Sequence, residues 1–224
     1  EISSCDWSSD VCSSDLVFDV GNVLLYFDPD EIMRRVLPGK EMLYPILMEK
    51  VFRSPYWLMR DRGSISKEQA VKWMVGDEVS LLDPIGRMMD EWVHLKRPVA
   101  EGIRALEVCK QHGKKILVLS NYAREPFQVV REEYDFFRWV DGFLVSGEEG
   151  VIKPDPEIYK LLLERFHLVP ERTLFIDDSV ANVESALHMG IHSIHYSAPG
   201  ILERFFCEDR KSTRLNSSHT NLSR

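Results

Sequence analysis

Short apolar runs alternate with segments of helical period through most of this sequence, and that alternation limits its fold more than any other feature. The first run opens at about Val17, in Val17-Phe18-Asp19-Val20-Gly21-Asn22-Val23, where Asp19 and Gly21 puncture an apolar stretch. It reads as a buried strand ending in a turn. Later strand candidates fall at 115–119, 142–145, 173–176 and 193–196, separated by helical periods at 100–111, 125–134, 156–166 and 181–189. Strands alternating with helices predict an α/β fold, a doubly wound parallel sheet covered on both faces.

Residues 28–97 break that rhythm. They carry Met, Leu and Trp at helical spacing, no convincing strand, and turn signals at Pro38-Gly39, Gly63 and Pro84. An all-helical cap inserted after the first strand is expected, with the core formed by 17–27 plus 98–208. Met33, Met42, Met48, Met59, Met74, Met88 and Met89 suit an adaptable binding surface, but mostly they are expected to pack the cap helices together.

The two ends have a separate origin. Residues 1–16 and 209–224 are rich in Ser, Asn and Thr and show neither period. Residues 6–15 and 209–218 can be encoded by opposite strands of one oligonucleotide, which resembles a common sequencing adapter. Both ends are therefore read as non-native read-through and excluded from fold reasoning. Cys5 and Cys12 leave with them; Cys109 and Cys207 are too few for a disulfide framework or a four-ligand zinc site.

With 28 basic against 36 acidic residues the formal charge is -8, and no run of Lys or Arg occurs. That argues against a grip on a nucleic-acid backbone. No apolar stretch is long enough for a membrane span. A cytoplasmic protein is expected, monomer or homodimer, with neither nucleic acid nor membrane as partner.

In an open parallel sheet, ligands gather beyond the carboxyl ends of the strands. The first strand delivers Asp19 and the second ends in Ser120-Asn121. Lys153 follows the third, in Gly150-Val151-Ile152-Lys153-Pro154-Asp155-Pro156, and the fourth delivers Asp177-Asp178. Carboxylates that close repel one another unless a proton or a divalent cation intervenes. Each residue alone also fits a turn, a helix cap or a solvated loop. Their recurrence at successive strand ends favours one site.

In order, spacing and strand context, these motifs resemble the haloacid dehalogenase-like hydrolase superfamily, in the branch with a helical cap. Phe18-Asp19-Val20-Gly21-Asn22-Val23, Leu119-Ser120-Asn121, Lys153-Pro154-Asp155-Pro156-Glu157-Ile158-Tyr159 and Phe175-Ile176-Asp177-Asp178-Ser179 are similar to bacterial glucose-1-phosphate phosphatases of that branch. The resemblance spans about 17–196. It implies a Rossmann-like core and a magnesium-dependent phosphatase acting on a small phosphorylated substrate. Asp19 matches the nucleophile that forms an aspartyl-phosphate. Mg2+ would be held by Asp19, the Gly21 carbonyl and Asp178, with Asp177 as companion, directly or through water. Ser120 and the Asn121 amide match the phosphate-binding groups, and Lys153 the lysine that offsets negative charge.

One departure matters. Most phosphatases of the superfamily carry a general acid, Asp, two residues after the nucleophile; here that place is Gly21. General acid catalysis contributes roughly 10²- to 10⁴-fold, so its loss suits good leaving groups such as an anomeric hydroxyl. Asp28 or Asp30, at the entry to the cap, is a candidate replacement; either also reads as a helix cap. Gly21 equally admits a metal-independent 2-haloacid dehalogenase, which the acidic pair opposes. A non-catalytic binding protein on the same fold has only Gly21 in its favour. In the cap, Arg60-Asp61-Arg62-Gly63 resembles a loop facing the site in relatives, making Arg62 a candidate substrate contact. The same stretch reads as a tight turn before a capping box, Ser66-Lys67-Glu68-Gln69. His188, His192 and His195 are expected to be structural.

Overall fold

The computed structural model describes residues 15–206; the segments 1–14 and 207–224, which hold nearly all of the suspected read-through, lie outside the described residues. Strand β1 (Asp15–Phe18) starts two residues before the expected Val17. Asp15 and Leu16 pair with Thr173 and Leu174, and Leu16 is buried. The exclusion of 15 and 16 is corrected accordingly: whatever encodes them, they are part of the sheet.

β2 (Ile116–Ser120), β3 (Gly142–Val145), β4 (Thr173–Asp177) and β5 (His192–His195) complete a parallel sheet in the order β3-β2-β1-β4-β5. β2 and β4 each run one residue past their expected ends. Ser120 pairs with Val145 and Asp177 with His195, so the ladder continues into the polar residues. The strand order reverses around β1, which opens a crevice at the carboxyl ends of β1, β2 and β4.

Side chains alternate across the strands, as a period of two requires. Leu16, Phe18, Ile116, Val118, Leu174 and Ile176 face one apolar layer. Val17, Leu117, Leu119 and Phe175 face the other. The second layer is closed by Ile158, Tyr159 and Leu162 of helix Pro156–Phe166 and by Ala186 of helix Val180–His188. The first is closed by helices Ala100–Gln111 and Arg124–Glu133 and runs on without a break into the cap residues.

From Pro29 to Leu95 the chain is helical, with no strand. Its longer helices are Pro29–Val36, Pro55–Asp61, Lys67–Val75 and Leu82–Glu91. Local chemistry starts them: Asp28 caps the first, Ser54 caps the second, and Ser66 with Gln69 forms the expected capping box. Met33, Met74, Met88 and Met89 are buried as packing residues, whereas Met42 is exposed. The segments entering and leaving the cap are tied together, Tyr26 N–H donating to Arg97 O and Val99 N–H to Leu24 O, each at 2.9 Å. Among the described residues no helix is long and apolar enough to cross a membrane.

Candidate active site

Asp19 lies one residue past β1, its N–H bonded to Ile176 O at 2.9 Å, which fixes its side chain over the crevice. Lys153 reaches it from the loop before helix Pro156–Phe166: Nζ is 2.8 Å from Asp19 Oδ1, 2.6 Å from Asp177 Oδ2 and 2.9 Å from Leu119 O. Burial alone would lower the lysine pKa, but Asp177 and Asp19 overcome it and hold Lys153 above its usual value. Asn121 positions this lysine through its backbone. The Asn121 side chain donates to Lys153 O and accepts from Lys153 N, both at 2.8 Å.

The acidic pair divides its labour. Asp177 is fully buried, and its Oδ1 accepts from Ser179 N–H and Asn182 Nδ2 while Oδ2 takes Lys153. Both its oxygens are thus committed to protein donors. Asp178 is more open, held by Asn22 Nδ2 on Oδ2 at 2.9 Å and by His195 Nε2 against its backbone carbonyl at 3.0 Å. Asp19, Asp177 and Asp178 each offer an oxygen within 4.8 Å of the others, so the cluster is able to hold a cation. Desolvation is the largest influence pushing Asp19 up to about 7; Lys153 opposes it, and the two other carboxylates add to it. Burial likewise raises Asp178, against the Asn22 hydrogen bond. An all-oxygen donor set with surplus negative charge fits a hard divalent ion.

A cavity of about 200 Å³ brings together Asp19, Gly21, Ser120, Asn121, Lys153 and Asp178. Seven of the eight sequence-derived site residues therefore converge, Asp177 from behind through Lys153. Arg62 does not join them. It ends helix Pro55–Asp61 as an exposed residue outside the cavity wall, and its neighbour Arg60 turns to Glu125 at 3.6 Å. Asp28 and Asp30 are exposed as well; Asp28 spends its carboxylate on Glu31 N–H at 3.1 Å. Neither lines the cavity.

The cap instead contributes Asp61, Lys96 and the rings of Trp57 and Trp92, beside Phe27 at its entry and facing Tyr122 from the core. Trp92 stacks on Tyr122 with centroids 5.5 Å apart, and Trp57 meets Trp92 edge-on at 5.0 Å. The seam behind this wall is tight. Ser146 Oγ donates to Asp61 O and accepts from Tyr122 N–H, and a Cβ on Gly63 would come within 2.5 Å of Gly147 O. None of this has a local sequence signature. Asn22 does, since it sits inside the first motif and takes the left-handed backbone (φ 52°) that Asn tolerates.

The family model for haloacid dehalogenase-like hydrolases matches residues 16–190. The chain belongs to the haloacid dehalogenase-like hydrolases. Among curated relatives, it is 31% identical over 187 residues to a D-ribitol-5-phosphate phosphatase of Bacteroides thetaiotaomicron, covering 80% of this chain and 89% of that one. It is 27% identical over 183 residues to the sesquiterpene phosphatase astK of Aspergillus oryzae, covering 80% and 87%. The fold of this hydrolase superposes with TM-score 0.69 on a family enzyme from B. thetaiotaomicron in complex with magnesium and inorganic phosphate, at 20% identity, covering 86% and 98%. An L-2-haloacid dehalogenase of Xanthobacter autotrophicus with chloropropionic acid covalently bound gives TM-score 0.61 at 19% identity, covering 87% and 82%.

Proposed function

We propose that this hydrolase is a cytoplasmic, Mg2+-dependent phosphatase of a small phosphorylated metabolite, a sugar phosphate such as a hexose 1-phosphate. The observation that carries the reading is the placement of Asp19 between Lys153 and Asp178 in a cavity also lined by Ser120 and Asn121. In this reading Asp19 attacks phosphorus in line, and the bond to the leaving-group oxygen breaks. Ser120 Oγ and the Asn121 N–H bind phosphoryl oxygens, and Lys153 offsets their charge. Water then attacks the aspartyl-phosphate and returns Asp19.

Asp19, Asp178 and the Gly21 carbonyl would hold Mg2+, with Asp177 orienting Lys153 from behind. The ion, when bound, neutralises the carboxylates and withdraws charge from the phosphoryl group. Names of relatives support the substrate class: the ribitol phosphate enzyme, and a phosphorylated carbohydrates phosphatase of Thermotoga maritima, 38% identical over 96 residues. The cavity is compact, and its aromatic walls suit the C–H faces of a sugar ring.

Gly21 leaves metal-free dehalogenation as the second reading, opposed by the acidic cluster. A panel of sugar phosphates, nucleotides and acyl phosphates, run with Mg2+ and with EDTA, tests both. Metal-dependent phosphate release is expected. Chloride release from 2-chloropropionate in EDTA, without phosphate release, would reverse the assignment.

A further inference from the structure

We propose that Lys96 is the proton donor to the leaving-group oxygen, standing in for the carboxyl that Gly21 lacks. The inference rests on the phosphatase reading. In-line attack by Asp19 puts the leaving group on the far side of phosphorus, beyond the strand ends and toward the cap. The groups that the cap and its return segment bring to the cavity include only two with a proton to give, Asp61 and Lys96.

Burial raises the Asp61 carboxyl to about 7, while the charge of Arg60 and donors on Ala123 and Trp57 favour the carboxylate, and its backbone carbonyl takes Ser146. Those partners favour an acceptor at Asp61; the Lys96 side chain has no hydrogen-bonding partner among the described residues. Its Nζ lies 3.9 Å from the Phe27 ring centroid and 4.7 Å from that of Trp92, with no hydrogen bond or ion pair to any described residue. The side chain is buried all the same, 9% exposed. Two ring faces stabilise the charge but accept none of its three N–H groups in a conventional hydrogen bond. The ammonium is thus left without a protein acceptor at the cavity wall, and a leaving-group oxygen arriving in the cavity supplies one.

The acidity suits the task. Burial draws the Lys96 ammonium down to about 7, with the negative charge of Asp61 pulling the other way. Asp19, Asp61, Tyr122, Lys153 and Asp178 share the cavity with it, and the Tyr134 hydroxyl caps its backbone carbonyl. As Asp19 Oδ bonds to phosphorus, the P–O bond breaks with its electron pair going to the leaving oxygen. That oxygen takes a proton from Lys96 Nζ, which becomes a neutral amine. In the second half the amine takes a proton from the attacking water, hydroxide bonds to phosphorus, and the P–O bond to Asp19 breaks. The ammonium is restored.

The test compares kcat for p-nitrophenyl phosphate, whose leaving group needs no proton, with kcat for glycerol phosphate, in the presence of Mg2+. In Lys96→Met the aryl-to-alkyl ratio should rise about 10²-fold or more, the size of a lost general acid. Lys96→Arg keeps the charge but not a proton that leaves near neutrality, and should show the same rise. An unchanged ratio, restoration by Arg, or a higher KM with kcat intact would overturn the proposal; the last would make Lys96 an anchor for substrate anions. The wild type gives an independent readout should a variant not fold. Its glycerol phosphate rate should fall above neutral pH while the p-nitrophenyl phosphate rate does not, and identical profiles would overturn the assignment. Wild type that cleaves only the aryl ester would refute the donor alone, whereas no phosphate from either ester would refute the phosphatase reading with it.

Discussion

Lys153 Nζ stands 2.6 Å from Asp177 Oδ2, with both side chains essentially sealed from solvent. Asp177 is thereby the lysine's anchor, and the lysine in turn neutralises Asp19. Removing one member of such a pair leaves charge buried without compensation. Lys153→Met is expected to cost about 3–5 kcal/mol by urea denaturation. Asp19 in the variant loses the influence that lowers it, so its folded pKa rises further above the unfolded one. A raised folded pKa gives stability that is present at low pH and lost as pH rises through it. The cost should therefore be larger at pH 8 than at pH 5, and a pH-independent cost would contradict the pairing.

Metal binding should show the same competition in the wild type. Asp19 sits at about 7, so the metal-free protein holds a proton there below neutrality and loses that stabilisation as pH rises through 7. Mg2+ must displace that proton at low pH but not at high pH. The rise in Tm on adding Mg2+ should be clearly greater at pH 8 than at pH 5.5. Equal shifts at both would mean that Asp19 is not a ligand.

The core of this site was legible because its carboxylates and Ser120 stand at strand ends. Asp19, Ser120 and Asp177-Asp178 follow apolar runs, and a doubly wound sheet brings those ends together whatever lies between. The cap was legible only as helices. Arg62 and Lys96 look alike in a sequence, as charged residues near helix ends, and only packing decides between them. Gly63 packs against Gly147, with Asp61 buried and Arg62 exposed just before it. Lys96 lines the cavity, and the segment that carries it back to the core is pinned beside Leu24 and Tyr26, a pairing between residues some seventy positions apart that no local pattern encodes. The early start of β1 was hidden differently: Asp15 and Leu16 fall within a segment whose coding looked foreign.

That seam offers its own test. Gly63 has φ +76° and no room for a Cβ, which would meet backbone rather than a yielding side chain. Gly63→Ala should destabilise the protein by about 1–3 kcal/mol, as overpacking does, and should raise KM by loosening the cap wall. Thermal denaturation and steady-state kinetics check both. A neutral variant would mean that cap and core are not locked at this point.

Gly21 is open to a side chain. Its backbone is not left-handed, and a Cβ there would lie 3.7 Å from Asp19 Oδ2, an ordinary contact. Placing the missing acid there should compensate for its loss elsewhere. Gly21→Asp combined with Lys96→Met is expected to recover roughly tenfold or more of the glycerol phosphate rate lost by Lys96→Met alone, a fraction of a general acid's worth. No recovery, with the double variant folded and active on p-nitrophenyl phosphate, would argue that Lys96 does not act by giving a proton.

The most direct test is to catch the covalent intermediate. Wild type mixed with p-nitrophenyl phosphate and Mg2+, quenched in acid within the first turnovers and digested, should yield the Asp19 peptide carrying one phosphoryl group. Asp19→Asn treated identically should yield none and release no phosphate. Turnover by Asp19→Asn, or a wild-type peptide that is never phosphorylated while phosphate accumulates, would contradict Asp19 as the nucleophile.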